Sequence, residues 1–223
     1  MAISVNTSGA TALTPGSAAS LATVSAAGGY QVAIDVNTFV STERLEVRIL
    51  GKARSGDTAR IIKRFIIGPA PGGWVEPIVM TPVFYTPHYF EVAVTQINGS
   101  SRTPPWAVYD TGADPTVVDS NSQTATINTE HTLSTQTSVA GAYQLVVDAA
   151  NLAAGDELEL RIYGKARSSD TERVVFKNTW GPLALDEPLI VSPPFLSPHH
   201  AKFTLKQTAG TGRAFPWAVY GLG

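Results

Sequence analysis

No cysteine occurs in the 223-residue chain, which removes thiol catalysis, disulfides and Cys-ligated zinc. Charge is scarce as well: Asp, Glu, Lys and Arg make up 15% of residues, against roughly a quarter in an average soluble protein. The formal net charge is -2, so no global field draws the chain to nucleic acid or to an anionic membrane. No segment approaches the ~20 consecutive apolar residues of a membrane span. The opening MAISVNTSGATALTPGSAAS has no basic start and no sustained apolar run, so a secretory signal is not expected there. A soluble chain made in the cytoplasm is the default. In place of charge stand Ala, Thr, Ser, Val, 19 Gly and 15 Pro, which suit short strands and frequent turns better than helices. Hydrophobic residues at 43% are enough for real cores.

The chain is written twice. YQVAID from Tyr30 recurs as YQLVVD from Tyr143, an offset of 113. GKARSGDTAR from Gly51 recurs as GKARSSDTER from Gly164 at the same offset, with eight of ten residues identical. TPVFYTPH from Thr81 is matched by SPPFLSPH from Ser192, and PWAVY from Pro105 returns unchanged at Pro216, now at an offset of 111. Two copies of one fold follow, each about 100–110 residues long.

Within each copy the hydrophobic period is two. LEVRIL at 45–50 and LELRIY at 158–163 place apolar residues on one face and Glu and Arg on the other, the mark of a strand with one dry side. Residues 90–95 and 201–206 alternate likewise, and further strands are expected at 30–36, 60–65, 74–79 and 106–109, with partners in copy two. An opening strand at 3–6, paired in the repeat with 125–128, would make seven or eight. Gly-rich and Pro-rich turns separate them. The fold class is therefore all-β, with two tandem homologous β-sandwiches, jelly-roll or Ig-like. Residues 1–110 form the first, with 1–25 read as a flexible arm from composition. Residues 111–123 form a linker and 124–223 the second sandwich.

Several residues invite chemistry. Asp110-Thr111-Gly112 looks like the active-site loop of retroviral aspartic proteases, where two carboxylates share a proton. In tandem copies the motif should recur, yet Gly221 stands where Asp110 would return, so a boundary segment is the better reading and no catalytic residue is assigned. Asp110, Asp114 and Asp119 lack the alternating oxygens of an EF-type calcium loop. His88 and His199 follow Pro in both copies without a repeated carboxylate or a Gly-x-Ser-x-Gly elbow, which favours a structural role. Trp106 and Trp217 are expected in the cores, with Tyr109 and Tyr220 facing outward. No metal, cofactor or small-molecule substrate is implied. The repeated GKARS-x-DT reads as a turn held by an Asp–Arg network around Asp57 and Asp170. Its cations Lys52, Arg54, Lys165 and Arg167 are the partner-binding residues expected.

The run LAAGDELELRIYGKARSSDTERVVF, followed by the ending Gln207-Thr208-Ala209-Gly210 to Phe215-Pro216-Trp217, resembles small β-sandwich virion proteins of tailed bacteriophages. Copy one departs from that ending, with Gln96-Ile97-Asn98-Gly99 and Pro104 in place of Phe. The resemblance implies a capsid decoration or cement protein, on the outer surface of the virion. Its partner would be the major capsid protein, with self-association on the capsid as a further option, and its work would be binding without turnover. A carbohydrate- or receptor-binding accessory module of a head fibre or tail is the alternative, and an aspartic-protease-like enzyme stands third.

Overall fold

The computed structural model describes residues 3–68, 78–137, 140–181 and 186–223. They divide into two compact units: Met1–Lys52 with Ile61–Pro115, and Ala53–Arg60 with Thr116–Gly223. Every regular element among the described residues is a strand.

Unit 1 holds β1 (Ser4–Ala10), β2 (Ala18–Val24), β3 (Gly28–Asp35), β4 (Leu45–Gly51), β5 (Arg60–Ile67), β6 (Ile78–Met80), β7 (Phe84–Thr86), β8 (Phe90–Gln96) and β9 (Pro105–Asp110). One antiparallel sheet runs β1-β9-β3-β6, with β7 also on β3, and the other runs β2-β8-β4-β5. β6 and β7 pair with the two halves of β3 and so form one interrupted edge strand. Counted as one, they leave eight strands in the interleaved order of a jelly roll rather than an Ig fold.

Unit 2 repeats this order with β10 (Thr116–Thr124), β11 (Glu130–Thr137), β12 (Gly141–Asp148), β13 (Glu157–Gly164), β14 (Arg173–Trp180), β15 (Leu189–Val191), β16 (Phe195–Ser197), β17 (His200–Ala209) and β18 (Ala214–Gly221). Its sheets are β10-β18-β12-β15, with β16 on β12, and β11-β17-β13-β14.

Period-two alternation builds both cores. Leu45, Val47 and Ile49 of β4 and Phe90, Val92 and Val94 of β8 are fully buried in one cluster. Leu158, Leu160 and Ile162 of β13 with Phe203 and Leu205 of β17 are buried in the other. Each such side chain contributes about 1.5–3 kcal/mol. The repeated Thr-Pro and Ser-Pro pairs explain the interrupted edge. Thr81 Oγ1 accepts from Val32 N at 3.1 Å and Ser192 Oγ from Leu145 N at 2.9 Å. Each hydroxyl stands in for a main-chain acceptor where the edge breaks. It donates in turn to the carbonyl of the following proline at 3.0 Å, whose missing N–H ends the ladder there.

Three sequence boundaries change. The stretch expected as an arm at 1–25 carries two paired strands among its described residues, β1 on β9 and β2 on β8. Residues 111–123 are largely strand, because β10 pairs with β18 from Thr116 onward. Residues 125–128 are not a strand; Ala125 instead enters the core. Of the strand expected at 74–79, residues up to 77, including Trp74, lie outside the described residues, and β6 begins at Ile78.

Candidate functional site

The repeated turn has one geometry in both copies. Asp57 N donates to the Arg54 carbonyl at 3.1 Å, and the Asp57 carboxylate accepts from Arg54 N at 3.0 Å and from the guanidinium at 2.8 Å. In copy two, Asp170 N donates to the Arg167 carbonyl at 3.0 Å, and the Asp170 carboxylate accepts from Arg167 N at 3.1 Å and pairs with its guanidinium at 3.0 Å. The carboxylate thus closes a backbone turn and fixes the arginine beside it. Its bond to Arg54 raises that guanidinium's pKa still further.

The two turns stand in different surroundings. Ala53–Arg60 belongs to unit 2, where the Tyr220 hydroxyl donates to the Ala53 carbonyl at 2.8 Å and Arg60 Nε donates to Asp148 at 3.3 Å. Ala53 and Ala218 are fully buried there, and Tyr220 is nearly so. Burial, with the Asp57 charge nearby, pushes the Tyr220 phenol far above its ordinary pKa. An open, polar cleft of ≈ 280 Å³ beside this contact is lined by Gly56, Asp57, Thr58, Arg60, Asp148 and Asn151. In copy two, by contrast, Ala166 and Arg173 are exposed, and the Arg167 side chain is 81% exposed against 36% for Arg54.

Of the four cations expected to meet a partner, Lys52 rests with Nζ 5.0 Å from the Tyr89 ring centroid, and Arg54 lies in the segment built into unit 2. Lys165, half-buried, and Arg167, exposed, remain on an open turn. Tyr220 does not face solvent as its strand parity suggested, because Ala53–Arg60 covers it. Trp217 is in the core, while Trp106 is half-buried and donates from its indole N–H to Thr11 Oγ1 at 3.0 Å. Neither forms the exposed aromatic platform that a sugar-binding face needs.

Asp110 ends β9, and its carboxylate accepts from Gly112 N at 2.8 Å, closing an exposed turn. Asp110→Asn keeps that acceptor, so its melting curve is expected to stay within about 0.5 kcal/mol of the parent. A larger loss would show that the charge itself is needed. His199 is half-buried, and its neighbour His200 is buried with Nε2 2.7 Å from Glu172. Glu172 also bonds Lys202; that bond, reinforced by His200 and working against desolvation, lowers its pKa. Copy one has Ala59, Tyr89 and Glu91 at the three places, so this cluster is private to unit 2. Among the described residues, no group of three or more His, Asp or Glu could hold a metal ion.

A repeated device escaped the sequence reading. Glu43, fully buried, accepts from Val40 N at 2.9 Å, Ser100 N at 3.0 Å and Arg102 Nε at 2.9 Å. Asp156 does the same in unit 2, accepting from Ala153 N at 2.8 Å, Thr211 N at 3.0 Å and Arg213 Nε. Burial pushes both carboxyls up, but the arginine and the backbone donors outweigh it and hold them below the ordinary range. The signal was present in the paired arginines after Gly99 and Gly210, though their acidic partners lie far off in sequence. On the outer sheet faces, Glu46 is covered by Arg48 and Arg64, and Glu159 by Arg161 and Lys177. The repeated charges are largely paired with one another.

No protein-family model and no curated protein matches this chain. Among solved structures it is similar to PBSX exported protein XepA, at 10% identity and a TM-score of 0.35, over 100% of this chain and 86% of that one. It is similar to PNGF-II at 8% identity and 0.30, over 92% of this chain and 59% of that one. For an infectious bursal disease virus structure, Gt strain, the values are 12% and 0.27, over 88% and 57%. The chain thus spans less than two thirds of the last two. Likeness of this size assigns neither a family nor an activity.

Proposed function

We propose that this chain is a structural virion protein that binds the outside of a phage capsid and bridges its major capsid subunits. The observation that carries the reading is the pair of settings of one repeated turn. In its first copy the turn is a docking element with buried contacts; in its second it is equally preformed and exposed. Such an element serves adhesion, because its shape is fixed before the partner arrives. The resemblance of the 207–217 ending to phage virion proteins names the class of assembly. Many modest contacts then stabilise the shell by mass action, since only the assembled shell presents the site. On this reading the chain is no enzyme and needs no cofactor, and Lys165 and Arg167 lie at a contact.

The test is sedimentation with expanded, empty heads of the parent phage, and the temperature at which those heads disrupt. Binding and a raised disruption temperature are expected. The double variant Lys165→Glu with Arg167→Glu should bind at least about tenfold more weakly. A purified protein that neither cosediments nor shifts the disruption temperature sinks the reading.

A further inference from the structure

The contact that Ala53–Arg60 makes in unit 2 is written a second time, with its two halves left apart. On the turn, Ala53, Arg54, Asp57, Thr58 and Arg60 recur as Ala166, Arg167, Asp170, Thr171 and Arg173. On the receiving face, Asp148, Pro216, Ala218 and Tyr220 of β12 and β18 have Asp35, Pro105, Ala107 and Tyr109 of β3 and β9 as counterparts. Donor and acceptor of both bonds, Tyr hydroxyl to Ala carbonyl and Arg to Asp, are therefore present again. The second set is more open. Ala218 and Tyr220 are buried, whereas Ala107, Tyr109 and Asp35 are half-exposed and Pro105 is exposed. Asp148 is 7% exposed and paired with Arg60. Asp35 keeps the same local turn, accepting from Asn37 N at 2.9 Å, but has no cationic partner among the described residues. Beside the free turn, Val174 and Val175 are 45% and 52% exposed.

We propose that turn 164–173 of one molecule docks on the β3–β9 face of unit 1 in a second copy of this chain, with Arg173 on Asp35 and the Tyr109 hydroxyl on the Ala166 carbonyl. This names the partner of the exposed turn and rests on reading that turn as a docking element; it does not require a capsid. Charge is complementary across the contact, and the turn is already closed by Asp170, so little ordering is lost on docking. One patch meets a different patch on the next copy, so the association is head-to-tail, and it generates a ring if the rotation closes or a filament if it does not.

The experiment is sedimentation velocity on the purified full chain over a concentration series, without heads. Species heavier than the monomer are expected to grow with concentration. Arg173→Glu and Asp35→Arg should each weaken association about tenfold or more, and the double variant should restore it, since only direct pairing is rescued by exchanging the charges. Asp35 also holds its local turn, so Asp35→Asn, which keeps an acceptor there, and Tyr109→Phe test the face should Asp35→Arg fail to fold. A chain that stays monomeric throughout, or association indifferent to Arg173→Glu, Asp35→Asn and Tyr109→Phe, overturns the proposal. So does failure of a folded double variant to recover. Head binding without self-association would sink this contact and leave the virion reading standing; self-association without head binding would do the reverse.

Discussion

Arg213→Ala is expected to destabilise unit 2 by about 3 kcal/mol, because it removes one partner of a buried ion pair and leaves the other in place. The Asp156 side chain is 2% exposed, so it depends on the guanidinium and the neighbouring backbone for its partners. Two backbone donors remain, Ala153 N and Thr211 N, which keeps the loss at the lower end of the usual range. The pH dependence follows from the sign of the shift. Asp156 titrates below its ordinary range when folded, so its stabilisation is complete above the unfolded value of about 4 and is lost as pH falls through the lower folded value. The gap between parent and variant should therefore be widest near neutrality and should close in acid. Urea melts at pH 7 and pH 3 measure it, and a gap of equal size at both would refute the charge pairing. Arg213→Lys should recover part of the loss, since an ammonium supplies the charge without the fork. Arg102→Ala should act on unit 1 in the same way through Glu43.

What the sequence made legible, and what it hid, divides by the range of the interaction. Period-two alternation in LEVRIL and LELRIY placed Leu45, Val47, Ile49, Leu158, Leu160 and Ile162 in the cores, because alternation is a local property of a pleated strand. Residues 1–25 read as an arm, apart from the strand expected at 3–6, because Ala, Ser, Thr and Gly dominate them; yet Leu21 and Val24 of β2 are buried in the core. β1 is exposed along almost its whole length and is held by backbone pairing to β9, which leaves no mark in hydropathy. Strand parity put Tyr220 on the outer face correctly. It could not show that a segment 167 residues away in sequence lies over it. Glu46 and Glu159 were read as the wet side of their strands, yet both are 5% exposed, since long basic side chains from neighbouring positions lie across them. For the candidate site, the repeat exposed the turn and its Asp–Arg closure; the asymmetry between its two settings needed the fold.

Gly210→Ala is expected to remove about 3 kcal/mol or more from unit 2, a loss at the upper end for a single added methyl. The ending that resembles phage virion proteins has a glycine after Gln207, and the geometry explains why. Gln207 Nε2 donates to the Ala209 carbonyl at 3.2 Å and the Thr211 carbonyl at 2.6 Å, which draws the chain into a tight reversal. Gly210 sits in that reversal at φ +87°, where an L-residue costs about 1–2 kcal/mol. A Cβ there would also lie 1.9 Å from Asp156 Oδ1 and 2.7 Å from the Asp156 Cα. The carboxylate cannot swing aside without giving up Ala153 N, Thr211 N and Arg213, so strain and lost pairing add. Gly56→Ala supplies the contrast: nothing lies within 4 Å of its Cβ position, and the second copy already carries Ser169 there. That variant should melt within about 0.5 kcal/mol of the parent. Equal effects from the two substitutions, measured by urea unfolding, would mean that the reversal tolerates a side chain. The glycine of the 207–217 ending would then have to be explained by something other than the buried carboxylate beneath it.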